Sequence, residues 1–311
     1  MIEIYKTFED GIRKINKIEQ GCWVAMTNPS ATELLEISER CHIDIDHIRA
    51  PLDEEERSRI EVEEGYTLIL VDIPTMEERN NKDWYVTIPL GIIIAKEVIV
   101  TICLEETKVL KSFMDGRVRD FYTFKKTRFI LQILYKNATV FLQYLRVINR
   151  KSEEIEYKLH ISTKNRELIE LLELEKSLVY FTTSLRSNEV VLEKMLKIDN
   201  IKQYPEDREL LEDVIIENKQ AIEMANIYTG ILSGTMDAFA SVISNNLNIV
   251  MKFLATVTIV MAIPTMIASF FGMNVGGIPG NTWDYGFVTI IGVALLISVI
   301  VALIFRKKDL F

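Results

Sequence analysis

The chain has 311 residues, a net charge of −9 and 49% hydrophobic residues, so it is long enough for more than one domain. The acidic balance, without a basic cluster in the first two thirds of the chain, argues against nucleic acid as a partner. The first residues lack the basic and apolar pattern of a signal peptide, and the three cysteines are unpatterned, which predicts reduced thiols in the cytoplasm. We find no phosphate-binding loop, nucleophile elbow or paired acid–base motif, so an enzyme is not expected.

Residues 1–125 are predicted to form an α+β domain. Trp23–Thr27 has the composition of a short strand, and Asn28-Pro29 ends it. Ser30 and Glu33 have the spacing of a capping box, which predicts that a helix with an apolar face begins there.

Two hairpins follow in the same domain. Arg59–Glu63 and Tyr66–Ile73 are predicted to pair around a Glu-Gly turn, with Pro74 closing the second strand. The β-branched runs at 92–94 and 98–103 predict a second hairpin, because such runs are typical of buried strands.

The rest of the cytoplasmic part is predicted to be helical. Apolar residues recur at helical spacing from Thr127 to about His160 and from Asn165 to about Ile198. A third helix is predicted to begin at Pro205, because proline suits the first helical position and acidic residues follow it. No strong break precedes Pro264, so one helix from 205 to 271 would be on the order of 100 Å long.

Two apolar runs, Ile249–Phe271 and Gly286–Phe305, each have about the 20 residues that an α-helix needs to cross a bilayer. The basic residues 306–308 follow the second run, whereas the loop between the runs carries only Asp284. The positive-inside rule therefore predicts a multi-pass protein of the cell membrane with both termini in the cytoplasm.

Polar and small residues form a stripe along the third helix. Two tracks at seven-residue spacing carry it: Asp237, Ser244, Met251, Thr258, Thr265 and Gly272, and beside them Ser241, Asn248, Ala255, Ala262 and Ser269. Close packing between helices through small residues is one interpretation. A pore lining is the other, because polar groups at membrane depth usually face a bundle interior or water. Two spans cannot enclose a pore, so a channel requires several copies in a closed ring.

The residues Gly272-Met273-Asn274 at the outer end of the first span make the chain resemble the CorA family of magnesium channels. The likeness continues through residues 236–241, 244–248 and 251–254, then Pro264, and ends at the basic residues 306–308. It covers about a quarter of the chain densely, and the remainder only as an order of elements.

The resemblance implies a homopentamer in the lipid bilayer that carries divalent cations, with Mg²⁺ both transported and regulatory and without an organic cofactor. It implies five segments: an α/β domain (1–125), a helical hairpin (126–204), a stalk helix continuing into the pore helix (205–271), an extracytoplasmic loop (272–285), and a second span with a basic tail (286–311).

The resemblance also implies roles for single residues. Gly272, Met273 and Asn274 would select the hydrated ion at the outer mouth. The pore and its gate would be formed by Asp237, Asn248, Met251, Leu254, Thr258 and Thr265, with Met251 and Leu254 as an apolar constriction. Asp213 and an acid of a neighbouring copy, Glu63 or Glu64, would bind regulatory Mg²⁺. These acids could instead only keep the surface soluble.

Three alternatives stay open. The uncharged run 275–280 looks more like the zinc-transporting ZntB branch, although Met273 favours the magnesium branch. The hairpin could instead only anchor a sensor or scaffold without transport. Within the cytoplasmic domain, residues 41–47 offer five potential metal ligands, but their spacing matches no tetrahedral site, and we expect a helix end and a polar loop there.

Overall fold

The computed structural model describes residues 1–79, 82–161, 165–198, 205–273 and 284–308. It divides into two compact units, Met1–Met236 and Asp237–Phe311. The strands are β1 (Ile2–Phe8), β2 (Gly11–Ile15), β3 (Trp23–Thr27), β4 (Arg59–Val62), β5 (Tyr66–Arg79), β6 (Lys82–Ala95) and β7 (Ile99–Cys103). The helices are α1 (Ala31–Cys41), α2 (Ile45–Arg49), α3 (Lys108–Met114), α4 (Lys126–Ile161), α5 (Asn165–Met195), α6 (Pro205–Phe271) and α7 (Gly286–Lys307).

The seven strands form one mixed sheet in the first unit, in the order β2-β1-β3-β7-β6-β5-β4. Only the central pair, β3 and β7, is parallel, and every other pair is antiparallel. A parallel pair needs a long crossover, and the segment between β3 and β7 supplies it with α1, α2 and the strands β4 to β6.

Helices cover both faces of this sheet because its strands are apolar on both sides. Val24 and Met26 of β3 belong to a core cluster with Leu34 and Ile37 of α1. Trp23 points to the other face, because neighbouring residues of a strand alternate. There its ring lies 5.2 Å from that of Phe129 in α4.

Several predicted elements are confirmed. Strand β3 has the predicted bounds, and the Ser30–Glu33 capping box is formed, with the Ser30 side chain accepting from the Glu33 N–H. The β4–β5 and β6–β7 hairpins are antiparallel as expected, so the first unit combines helices with a mixed sheet.

Pro74 does not close a strand, which corrects the prediction. β5 continues to Arg79, and Pro74 lies opposite Thr87 of β6. Two residues earlier, Asp72 directs its backbone N–H to Asn188 rather than to β6, so the nitrogen of Pro74 faces that same side. Strand β4 pairs with β5 only as far as Leu70, which lies opposite Arg59, the first residue of β4. The missing N–H of Pro74 therefore removes no ladder hydrogen bond.

Two further elements differ from expectation. The β1–β2 hairpin was not predicted, because β2 is an edge strand with exposed charged residues such as Lys14. The polar loop expected around residues 41–47 contains the short helix α2, whose N-cap is Asp44: its side chain accepts a hydrogen bond from the Asp46 N–H.

Candidate ion pathway

The residues predicted to form the pore and its gate all lie on α6 and are exposed in the single chain: Asp237, Asn248, Met251, Leu254, Thr258 and Thr265. Seven residues advance an α-helix by about 10.5 Å and turn it by about −20° relative to two full turns, so each track drifts slowly around the axis. The stripe is therefore continuous along α6, and the rest of the described chain leaves it exposed.

The two threonines of the stripe share one hydrogen-bonding state. Thr258 Oγ1 donates to the Leu254 carbonyl at 2.8 Å, and Thr265 Oγ1 donates to the Met261 carbonyl at 3.1 Å. Because a hydroxyl has one proton, each oxygen keeps only its acceptor lone pairs for other partners. Acceptor oxygens suit the water protons of a hydrated cation.

Gly272 and Met273 follow the C-terminal end of α6. The Gly272 N–H donates to the Ala268 carbonyl at 2.9 Å, which completes the last helical turn. A Cβ at Gly272 would lie 3.2 Å from that same oxygen, a close contact that favours glycine here. Asn274 lies outside the described residues, as do residues 275–283 of the predicted loop.

Both apolar helices meet the length and composition of membrane spans. The apolar window of α6 is only 6% buried in the chain, and that of α7 only 11%. Arg306 and Lys307 form the basic last turn of α7. Such exposed apolar surface requires lipid or other protein copies to cover it.

The predicted regulatory acids lie in the first unit and are all exposed. Asp213 is on α6, on the side opposite the buried Leu211 and Val214, while Glu63 and Glu64 lie at the β4–β5 turn. No lysine or arginine forms an ion pair with any of the three among the ion pairs of the described residues. Asp213 joins no cluster of three metal-ligating side chains in the described chain.

The structure does bring together three potential ligands that the sequence interpretation treated separately. His47 of α2, Glu61 of β4 and Glu63 just after β4 have ligand atoms within 4.8 Å of one another. His47 belongs to the segment 41–47, where no tetrahedral site was expected, and Glu63 was predicted either to bind regulatory Mg²⁺ or only to keep the surface soluble. Only the packing of α2 onto the β4–β5 hairpin unites them.

Comparison with known proteins gives concordant matches. Residues 19–307 match the family described as CorA-like Mg²⁺ transporter protein. The cobalt/magnesium transport protein CorA of Methanocaldococcus jannaschii is 30% identical over 300 residues, 92% of this chain and 90% of that protein. The complete structure of the CorA magnesium transporter from the same species matches with a TM-score of 0.86 at 25% identity, covering 100% of this chain and 99% of the other.

A more distant match concerns the fold alone. The cytoplasmic domain of ZntB from Vibrio parahaemolyticus matches with a TM-score of 0.60 at 10% identity, covering 79% of this chain and 97% of that domain. At this identity the match shows a shared fold and carries no information about the transported ion.

Proposed function

This chain belongs to the CorA family of Mg²⁺ transporters, and we propose that copies of it assemble into a cell-membrane channel that carries divalent cations, above all Mg²⁺. The observation that carries the proposal is the polar stripe on α6, exposed within an otherwise apolar span. An anchor needs no polar stripe at membrane depth, whereas a pore lining does.

The exposed surfaces support assembly into a ring, for which we propose a homopentamer. In the soluble unit, Ile216, Ile227 and Ile231 of α6 are each more than half exposed and share one helix face. Asp213 lies on that face as well, by helical spacing. Apolar residues repeated along an unpaired helix face are typical of contacts between helices of neighbouring copies.

We propose that residues 1–125 and 126–204 form the cytoplasmic domain and that 205–271 form the stalk and pore helix. Residues 272–285 would be the extracytoplasmic loop, and 286–311 the second span with its tail, so that both termini are cytoplasmic. The basic last turn of α7 supports this orientation.

We propose that the ion passes largely hydrated. Mg²⁺ gives up its water reluctantly, so neutral oxygens of Gly272, Met273 and Asn274 can bind its hydration shell without holding the ion too tightly. The acceptor oxygens of Thr258 and Thr265 continue such contacts along the pore. Asn248 adds another polar ring, and Asp237 attracts the cation at the cytoplasmic exit.

Closure and regulation use different residues in this proposal. Met251 and Leu254 form an apolar ring that closes the pore by dewetting. Mg²⁺ bound between Asp213 of one copy and Glu63 or Glu64 of the next offsets repulsion between their carboxylates and holds the ring closed.

Flux through the purified protein in liposomes tests the proposal. We expect uptake of Mg²⁺, compared with Co²⁺, Ni²⁺ and Zn²⁺, with and without a proton gradient. Preference for Zn²⁺ with dependence on the gradient would instead support the ZntB-like alternative, to which the uncharged run 275–280 points. No flux of any ion from a correctly assembled oligomer would support an anchored sensor or scaffold.

Asn274→Ala separates the filter from the rest of the channel. We expect this variant to lose at least about tenfold of the Mg²⁺ flux, because the amide oxygen that accepts from hydration water is gone. Asn281→Ala, a change of the same kind in the same loop, is the matched control and should keep wild-type flux. Equal flux in both variants, with equal oligomer size by size-exclusion chromatography, would refute the filter assignment.

A further inference from the structure

A cluster of one imidazole and two carboxylates lies on the soluble unit, formed by His47, Glu61 and Glu63. His47 Nε2 is 3.2 Å from Glu61 Oε2, and the ligand atoms of all three side chains lie within 4.8 Å of one another. Distances of this size leave room for one cation among the three atoms after small side-chain adjustments.

Local structure places these side chains together. Glu61 and Glu63 are two residues apart at the end of β4, so their side chains point to the same side of the extended chain. The side chain of Val62 points to the opposite side. The Glu63 N–H donates to the Tyr66 carbonyl, which closes a two-residue turn, and Gly65 provides the positive φ of +102° that this turn requires.

Tyr66 holds the imidazole in the orientation that a metal ligand needs. Its hydroxyl lies 2.7 Å from His47 Nδ1, and it also accepts from the Asp44 N–H at 3.3 Å. In the tautomer with a proton on Nδ1, the tyrosine oxygen accepts from Nδ1–H and Nε2 keeps its lone pair for a metal ion. Histidines that bind metals usually have such an oxygen partner on their second nitrogen.

The charges around the cluster favour a cation. Arg59 Nε donates to Glu61 Oε1 at 2.7 Å, which fixes that carboxylate and leaves Oε2 for the side of His47. Arg59 is also bonded to Glu56. Glu63 has no lysine or arginine partner among the ion pairs of the described chain, so its charge is left for another cation.

We propose that His47, Glu61 and Glu63 bind one transition-metal divalent cation of the Zn²⁺, Co²⁺ or Ni²⁺ class, with water completing its coordination. Imidazole nitrogen together with carboxylate oxygen suits these ions, whereas Mg²⁺ prefers an all-oxygen octahedral shell. The site is formed by a single chain, and binding there requires neither transport nor assembly.

The site also affects the regulatory proposal. A Glu63 that ligates a metal with His47 of its own chain is not available to Asp213 of another copy. Glu64, the other candidate, would then be the partner acid.

Isothermal titration of the full-length protein with Zn²⁺ tests the site, in detergent, without an affinity tag and after metal removal by a chelator. The titration is run in excess Mg²⁺, which occupies oxygen-only sites. We expect His47→Ala and Glu63→Gln to lose one Zn²⁺ site per chain. Tyr66→Phe should weaken that site by about 10- to 100-fold, because the imidazole loses its orienting partner.

Two matched controls accompany these variants. His42→Asn changes the neighbouring histidine at a left-handed position that asparagine tolerates, and Glu54→Gln changes an exposed acid before β4 that lies outside the cluster. Both should keep the wild-type isotherm. The proposal is overturned if His47→Ala and Glu63→Gln, shown to be folded by near-ultraviolet circular dichroism, bind Zn²⁺ as the wild type does. Because binding is measured without flux, failure of the channel proposal would leave this result interpretable.

Discussion

Asp72 is a carboxylic acid on β5 within a polar network between the sheet and two helices. Strand β4 begins at Arg59 opposite Leu70, so Asp72 has no backbone partner on that side. The side-chain amide of Asn188 takes this place: it accepts from the Asp72 N–H and donates to the Asp72 carbonyl, both at 2.8 Å. Asn137 donates to the same carbonyl, so α4 and α5 are both tied to the sheet at one residue.

Both backbone groups of Asp72 are hydrogen-bonded, but burial of its carboxyl group is not fully compensated by hydrogen bonds. Burial raises the pKa of Asp72 to about 6 from the ordinary 3.8, although hydrogen bonds from Ser184 and Ser58 oppose the shift. The folded state therefore binds a proton at a higher pH than the unfolded state. Its stability is lowered as the pH rises from about 4 to about 6, and the full cost of the charged carboxylate persists above that range.

We expect Asp72→Asn to stabilise the protein near pH 7 by up to about 3 kcal/mol and to have little effect near pH 4. Thermal unfolding of the detergent-solubilised full chain, followed from pH 4 to pH 8, measures the difference between the variant and the wild type. Asp120→Asn, an exposed acid at a positive φ that asparagine also tolerates, is the control and should change little. A variant–wild-type difference that does not grow with pH would contradict this account of Asp72.

Residue-level function was only partly accessible from the sequence. The polar stripe could be placed along α6 because one continuous helix carries it, whereas its role as a pore lining stays a prediction. His47 and Glu61 could not be paired in this way, since they belong to different elements whose packing depends on the α1–α2 connection. A left-handed His42 ends α1 and turns the chain toward α2, and no periodic pattern predicts that geometry.

At the scale of elements, predictions succeeded where apolar periodicity was strong. The buried strands β3 and β7 and the capping box of α1 are confirmed. The hairpin of β1 and β2 was missed, because exposed strand residues alternate weakly. The extension of β5 past Pro74 was missed because proline normally ends a strand. It is tolerated here because β4 does not extend alongside Pro74, so no ladder hydrogen bond is lost.

The proposed apolar constriction on α6 also leads to a prediction. Met251→Ser and Leu254→Ser should each wet the constriction and raise Mg²⁺ leak, by at least about tenfold, through channels held in saturating Mg²⁺. Efflux from liposomes measures this leak. Ile249→Ser is the matched control, because Ile249 is as exposed as Met251 but lies about 160° away around the helix.

The outcomes of this series are distinct. If the Ile249→Ser control leaks as much as the two gate variants, the leak would come from destabilisation of α6 by serine and not from the constriction. Unchanged flux in both gate variants would place the narrow point elsewhere, with Thr258 and Thr265 as the next positions to examine. Only selective leak in the Met251 and Leu254 variants supports an apolar gate at these residues.

At the scale of the whole molecule, the exposed surfaces of one chain are best explained by the proposed assembly. One copy exposes the polar stripe and the apolar span of α6 together with an apolar face in its soluble part. Composition and periodicity predict these surfaces, but they do not set the number of copies. That number depends on the angle at which neighbouring chains pack, and such an angle is a property of the assembled interface.

The proposed regulation by Mg²⁺ would be a property of the assembly, and variants of Asp213 test it. The carboxylate is exposed and has no basic partner among the ion pairs of the described chain, so crowding it against acids of another copy costs free energy. Mg²⁺ should therefore protect the wild type from limited proteolysis by closing the ring. Asp213→Lys should be partly protected without Mg²⁺, because a fixed cation replaces the ion. Asp213→Ala should lose the added protection that Mg²⁺ gives.

The control for this experiment is Glu212→Ala on the adjacent position of α6, about 100° around the helix. Its exposed ion pair with Arg208 contributes little to stability, so Mg²⁺ protection should match the wild type. The same Mg²⁺ protection in the wild type and in both Asp213 variants would show that Asp213 is not the sensor. Loss of protection in Glu212→Ala as well would point to the net charge of the stalk, since a bridging ion acts through a particular pair of carboxylates and a diffuse repulsion does not.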